Sequence, residues 1–275
     1  MPANATELPD LSSPYPVSEE QARSYQRDGH VLLRAVCTPA EIAAYRQVIL
    51  DAAHRFNTET RPIEERDTYG RAFLQIMNLW ENDEAVRRFV LARRFAQVAA
   101  DLMGVDAVRL YHDQALFKEP GGGHTPWHQD QYYWPLATDN TVTMWMPLVD
   151  VTEEMGTMTF ASGSHTNGYL GKLEISDESE EYFRQFVAEK GYHLARSGSM
   201  AAGDATFHSG WTLHAAPGNP TDRTREVMTI IYFADGTLVG EPDNKNRVND
   251  LNRWLPGCRA GEPAASPLNP LVFQR

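Results

Sequence analysis

From residue 108 onward the chain is a succession of short β-rich runs separated by Gly, Pro, Asn and Asp. They read "VRLYHDQALFKE", "TPWHQDQYYW", "TVTMWMPLVDV", "MGTMTFASGSH", "YHLARSGSMAAGDATFHSG", "TLHAAPG" and "REVMTIIYFADG". Parallel strands need a crossover of a dozen or more residues, usually a helix, and these runs lie too close together for that. The spacing therefore excludes a parallel α/β sheet and predicts an antiparallel array. Helices come first and strands after, so the predicted fold is mainly β, a jelly-roll core with flanking helices.

The earlier part of the chain supplies those helices. Ser18, followed by Glu19, Glu20 and Gln21, predicts a capped helix start, and Asp28-Gly29 its end. His30 to Val36 reads as a strand, and Thr38-Pro39 opens a second helix whose apolar face carries Ile42, Tyr45, Ile49, Ala52 and Ala53. Residues 57–80 fit a strand or a helix. "DEAVRRFVLARRFAQVAADLMG" predicts one long helix ending at Gly104. The expected organisation is one domain over 1–275: an extended arm over 1–17, a mostly helical flank over 18–104, the core over 105–235 and a C-terminal extension over 236–275. An acidic insertion with a short helix is expected between Gly168 and Lys190.

Charge and cysteine usage narrow the partners. Twenty-five basic against 37 acidic residues, a net charge of −12, give no footprint for nucleic acid or an anionic membrane. No run approaches the roughly 20 apolar residues of a membrane span, and "MPANATELPDLSSPYPV" has no signal-peptide pattern. Two cysteines, Cys37 and Cys258, without zinc spacing, point to a reducing cytoplasm rather than a disulfide framework. The partner expected is a small molecule; no feature specifies an oligomeric state.

Within "TPWHQDQYYWP", strand alternation aims His128 and Asp130 the same way and Gln129 the other. Two imidazoles and one carboxylate on one face leave coordination positions open, as non-haem iron(II) oxygenases require, whereas structural zinc takes four protein ligands. His165, His193, His208 and His214 are candidates for the third ligand. His214 stands out because a turn follows it and Arg225 comes eleven residues later on the next β run. An arginine so placed can clamp a carboxylate bidentately. Arg223 has the same parity and is its rival.

Several separated stretches resemble the phytanoyl-CoA dioxygenase family of Fe(II)/2-oxoglutarate-dependent oxygenases. "YQRDGHVLLRAVCTPAEIAAYRQVI" is similar to the family's N-terminal element, "WHQD" to its metal pair and "GTMTFASGSH" to its glycine-rich turn. "GDATFHSGWTLHAAPGNPTDRTR" is similar to its distal-histidine segment. The resemblance implies a cupin-like double-stranded β-helix, with His128, Asp130 and His214 as iron ligands and Arg225 on the distal carboxylate of 2-oxoglutarate. It also implies Trp145 and Gln114 beside that co-substrate. Two departures are Ser162, where proline is usual, and Ala216, where some relatives carry a hydroxyl.

The activity implied by the resemblance is that of a dioxygenase using Fe(II), 2-oxoglutarate and O2 to abstract hydrogen from an unactivated C–H bond. Hydroxylation is its default outcome; epimerisation, cyclisation and desaturation use the same ligands. Asp130 stands where related halogenases have Gly or Ala, which disfavours halogenation. Tyr132, Tyr133, Trp134 and Trp211, close to the metal motifs, are the expected substrate contacts, with Tyr69, Phe73, Met77 and Trp254 as further lining. Such an aromatic chamber suits a ring system, and a polycyclic secondary metabolite, antibiotics included, is the expected substrate class. Two readings of other classes stand beside this one: a non-oxidative cupin-type metal enzyme, and a non-catalytic binding protein.

Overall fold

The computed structural model describes residues 8–171 and 173–275, so the first seven residues of the predicted arm lie outside the described set. Residues 8–17 form no regular element but lie against the helices, with Leu11 buried and the Tyr45 hydroxyl donating to the Pro9 carbonyl at 2.7 Å. Helices α1 (Glu19–Asp28) and α2 (Pro39–Phe56) flank strand β1 (His30–Leu33). Both helices begin with capping boxes, in which Ser18 accepts from the Gln21 amide and Thr38 from the Glu41 amide. The strand stops at Leu33 rather than Val36 because Ala35 turns into the left-handed region, at φ 52°.

The ambiguous stretch over 57–80 holds both structures: α3 (Thr68–Ala72), β2 (Leu74–Met77) and the start of α4 (Leu79–Asn82). The single helix predicted over 83–104 is corrected to two, α5 (Glu84–Val90) and α6 (Arg93–Met103), with Ala92 extended between them. That break lets the Arg94 amide donate to Leu11 O at 3.1 Å. It also sends the Arg94 guanidinium inward, where it forms a two-point ion pair with Glu41 at 2.9 Å and bonds to Ser13 and Val36.

The strands after α6 are β3 (Ala107–Lys118), β4 (Thr125–His128), β5 (Thr141–Pro147) and β6 (Thr159–Ala161). Helix α7 (Asp177–Lys190) forms the acidic insertion. Strands β7 (Leu194–Arg196), β8 (Ala205–Ser209), β9 (His214–Ala216) and β10 (Arg225–Ala234) precede helix α8 (Lys245–Trp254) and strand β11 (Leu271–Gln274). One antiparallel sheet runs β1-β8-β5-β10-β3-β11, with β2 also paired to β3, and the other runs β4-β9-β6-β7. This is the jelly-roll arrangement of two facing sheets. No helix among the described residues is long and apolar enough to cross a membrane.

Period-2 alternation divides the larger sheet into two functions. Val142, Met144 and Met146 of β5, Ala205 and Phe207 of β8, and Met228 and Ile230 of β10 join the helices in the largest apolar cluster. The residues between them, Thr143, Trp145, His208 and Thr229, face a cavity between the sheets. Strand β3 changes parity partway: His112 pairs with Ile231 and Leu110 with Tyr232, leaving Tyr111 as an extra residue. This bulge turns both Tyr111 and His112 to the inner side, where Tyr111 packs with Trp134 and His112 lines the cavity.

The buried Arg94–Glu41 pair is the electrostatic tie between α6 and α2. Arg94→Ala leaves the part-buried Glu41 carboxylate with only its bond from the Thr38 amide and is expected to cost about 1.5–3 kcal/mol in urea unfolding. Arg55→Ala, which breaks the more exposed Arg55–Asp83 pair, is expected to cost about 1 kcal/mol or less in the same assay.

Candidate metal centre

The two histidines are positioned by one repeated device. His128 and His214 are partners in the register between β4 and β9. Each ring bonds through Nδ1 to the carbonyl two residues back, Pro126 O at 2.7 Å and Thr212 O at 2.9 Å. A carbonyl only accepts, so each Nδ1 carries the proton and each Nε2 presents its lone pair to the space between the rings. Asp130 opens a 3-10 helix, Asp130–Tyr132, instead of continuing the strand. Gln129 stays extended, and its side chain bonds away from the site to Gly168, Leu170 and Trp211.

The result is a compact triad. Asp130 Oδ1 lies 3.4 Å from His128 Nε2 and 3.7 Å from His214 Nε2, and the three donor atoms fall within 4.8 Å of one another. Burial opposes charge on Asp130, and Oδ2 offsets it by accepting from the Thr143 hydroxyl and bonding to the His208 ring. Burial, then the neighbouring His128 and His208, pushes His214 well below the usual histidine value, which keeps it neutral. Two imidazoles and a carboxylate on one side of an open cavity form a donor set suited to iron(II).

His208, the rival by strand parity, sits elsewhere. Its Nε2 is 3.2 Å from Asp130 Oδ2, which also accepts from the Thr143 hydroxyl at 2.8 Å. These two residues occupy one carboxylate oxygen and leave the other to the triad. Of the remaining candidates, His165 bonds to Gln26 O at 3.1 Å and His193 is exposed.

Arg225 enters the cavity through a turn held by Asn219, whose amide donates to Arg223 O at 2.7 Å and Lys118 O at 3.1 Å. Its guanidinium is 1% exposed, donates to Gly156 O and stands 5.2 Å from the Trp145 ring, while Nε has no partner. No carboxylate among the described residues pairs with it, and burial alone lowers its pKa to about 9. Arg223 instead reaches Asp150 O on the exposed side. Lys118, the register partner of Arg225, is equally buried; burial and then Arg225 push its amine down to about 6, and it donates to Gly123 O. Lys118 thus braces the loop before β4, and Arg225 remains the charged group awaiting an anion.

The cavity, about 560 Å³, is lined by the triad, Arg225, Trp145 and Gln114, with Gln114 Oε1 accepting from Gln75 at 3.0 Å. Tyr69, Phe73, Met77, Tyr133, Trp134 and Trp254 add its apolar wall. Tyr132 and Trp211, expected as substrate contacts, are not among the lining residues. The Tyr132 ring stacks on Tyr169, and the Trp211 indole donates to Asp139 at 2.8 Å. Lining residues that the sequence motifs do not single out are Thr143 and a group on α8, including Asn249, Asp250 and Arg253. The polar face of "KNRVNDLNRW" carries them, but amphipathic spacing shows only that such a face exists. Of the two motif departures, Ala216 lines the cavity, and Ser162 accommodates His30 Nε2 at 2.8 Å.

Comparison with known proteins gives three kinds of likeness. The phytanoyl-CoA dioxygenase (PhyH) family model matches residues 25–227. The probable alpha-ketoglutarate-dependent hypophosphite dioxygenase of Stutzerimonas stutzeri is 24% identical over 227 residues, 78% of each chain. The alpha-ketoglutarate-dependent carbocyclase SnoK from nogalamycin biosynthesis superposes with a TM-score of 0.76 at 24% identity, over 95% of this chain and all of that one. The epimerase SnoN from the same biosynthesis superposes at 0.74 with 26% identity, over 93% and 98% of the two chains. A second structure of that epimerase, in complex with Fe3+, alpha ketoglutarate and nogalamycin RO, superposes at 0.73.

Cobalt(II), added to the metal-free protein and followed by its visible spectrum, is expected to bind the triad and to be lost in Asp130→Ala. His208→Ala, which frees the second carboxylate oxygen, is expected to weaken binding roughly 10–100-fold without abolishing it. His112 gives a separate pH signature, because burial lowers its pKa to about 3. Below pH about 6.5 the unfolded chain takes up a proton that the folded residue refuses, so stability falls by about 1.4 kcal/mol per pH unit. His112→Phe should remove one proton from that slope in urea titrations between pH 6 and about 4.

Proposed function

This chain belongs to the phytanoyl-CoA dioxygenase family, and on that premise we propose that its cavity abstracts hydrogen from a C–H bond of a ring-bearing small molecule. It is an Fe(II)/2-oxoglutarate-dependent dioxygenase, an oxidoreductase whose cofactors are Fe(II), 2-oxoglutarate and dioxygen. In our reading His128, Asp130 and His214 hold the iron and Arg225 holds the far carboxylate of 2-oxoglutarate. The observation that carries the reading is the buried guanidinium without a counter-ion, in the same cavity as an open three-donor face. A cupin-type hydrolase or isomerase has no use for such a clamp, and a binding protein has no use for the triad.

When bound, iron with its co-substrate and dioxygen supplies the oxidant that removes hydrogen from carbon, and 2-oxoglutarate leaves as succinate and carbon dioxide. The protein's own part is geometry and exclusion. The two backbone-anchored imidazoles fix the ligand face, while Thr143 and His208 keep Asp130 from rotating. Trp145 walls the co-substrate end beside Arg225. Tyr133, Trp134 and Trp254 form a dry apolar wall that keeps water from competing with the substrate.

That wall supports a polycyclic substrate of secondary metabolism, antibiotic tailoring included, and the SnoN complex with nogalamycin RO is consistent with it. Hydroxylation is the default outcome. Epimerisation or ring closure is the second reading, favoured by the likeness to an epimerase and a carbocyclase that share the cofactor.

Anaerobic protein titrated with Fe(II) and 2-oxoglutarate is expected to develop a visible charge-transfer band and, on exposure to air, to release succinate. Arg225→Leu is expected to raise the 2-oxoglutarate concentration needed for the band by roughly two orders of magnitude. Absence of both band and succinate in the wild-type protein would overturn the oxygenase reading.

A further inference from the structure

The cavity is electrostatically two-ended. Arg225 and Ile231, the register partner of His112, are six residues apart on β10, roughly 20 Å of strand. At the Ile231 end the bulge at Tyr111 and the polar face of α8 meet. The Tyr111 hydroxyl donates to Asp250 Oδ2 at 3.0 Å, and the His112 ring lies 5.1 Å from that of Trp254.

Two groups here keep acceptor capacity that no protein donor fills. Asp250 lines the cavity, has Tyr111 as its one hydrogen-bond donor among the described residues, and pairs with no cation. Arg253, one turn on, stands over the Trp254 ring at 4.3 Å, and its charge bears on Asp250 without a direct ion pair. His112 is 2% exposed and lines the same cavity; its buried Nδ1 has no partner, and no protein hydrogen bond reaches the ring. Two further acids, Asp67 and Glu174, stand at the rim. A buried acceptor left unpaired costs free energy until a ligand supplies the donor.

We infer that this end is a cation-recognition pole, at which Asp250, with His112 beside it, receives a protonated amine on the ring-bearing substrate. The pole rests on reading the cavity as the chamber of an oxygenase, and it adds the chemical class of the substrate's recognition group. It also gives the cavity a polarity. The dicarboxylate is drawn to Arg225 and repelled from Asp250, while a basic substrate is drawn the other way. Burial raises the Asp250 carboxyl to about 7 against the opposing Tyr111 bond and Arg253 charge, and a further cation in contact with it favours the charged form at neutral pH.

The test uses anaerobic protein loaded with Fe(II) and 2-oxoglutarate and two compact polycyclic probes of nearly equal shape, 1-adamantylamine and 1-adamantanol. Binding is followed by calorimetry. The wild-type protein is expected to bind the amine at least about tenfold more tightly than the alcohol, and Asp250→Asn to bring the two within about twofold. Asp250→Asn can still accept from Tyr111, and its thermal melt checks folding. Should that variant not fold, the wild-type comparison decides alone. No amine binding, amine binding no tighter than alcohol binding, or a preference that survives in folded Asp250→Asn overturns the pole. The co-substrate band, recorded in the same samples, separates the two readings. Its absence from the wild-type protein counts against the oxygenase, and its presence without amine preference counts against the pole alone.

Discussion

A carboxylate buried among three imidazoles is the constraint that organises the interior. Asp130 keeps its charge there because Oδ2 accepts from Thr143 and bonds to His208, while Oδ1 faces the ring nitrogens of His128 and His214 with which it would share a cation. An ionised group in such surroundings costs several kcal/mol unless its partners are held in place. The partners come from β4, β5, β8 and β9, so both sheets must close before the charge is accommodated. The backbone meets the same demand at Gly29, whose φ is 78°. A Cβ there would come within 2.5 Å of Thr212 Oγ1, the hydroxyl that ties the loop before His214 to Gly29 O.

Around that centre the alternation of each strand separates stability from chemistry. One face of the larger sheet gives its Met, Ile, Val and Phe side chains to the helices; the other gives Thr, Trp, His and Arg to the cavity. Because adjacent residues serve opposite faces, the chemistry-bearing positions carry little of the apolar burial. The cavity can hold an unpaired guanidinium and an unpaired imidazole because the helix-covered face supplies the stabilisation.

Much of this is legible in the residues, and the remainder fails for physical reasons. Capping boxes at Ser18 and Thr38 are local, four-residue events, and they form as read. His128 and Asp130 converge because one extended residue between them suffices, even though Asp130 leaves the strand. The break at Ala92 is illegible because its cause, the Leu11 carbonyl and the Glu41 carboxylate, lies more than 50 residues away. Parity places His208 and His214 alike, and only three-dimensional register puts one on each oxygen of Asp130. Tyr132 and Trp211 share the motif neighbourhood of Tyr133 and Trp134, but Tyr132 sits in the 3-10 turn after Gln129 and stacks on Tyr169, and the Trp211 indole is drawn to Asp139. The bulge at Tyr111 leaves no mark in "VRLYHDQALF", which carries no Gly or Pro to signal it.

Helix α8 begins at Lys245, beyond the stretch over 25–227 that matches the family. The residues assigned to oxidation thus lie inside the shared pattern, whereas Asp250 and Trp254, assigned to choosing the molecule, lie outside it. Oxidative machinery of this kind can be inherited intact while ten residues of C-terminal helix are rewritten, so a lineage could change what it modifies without relearning how.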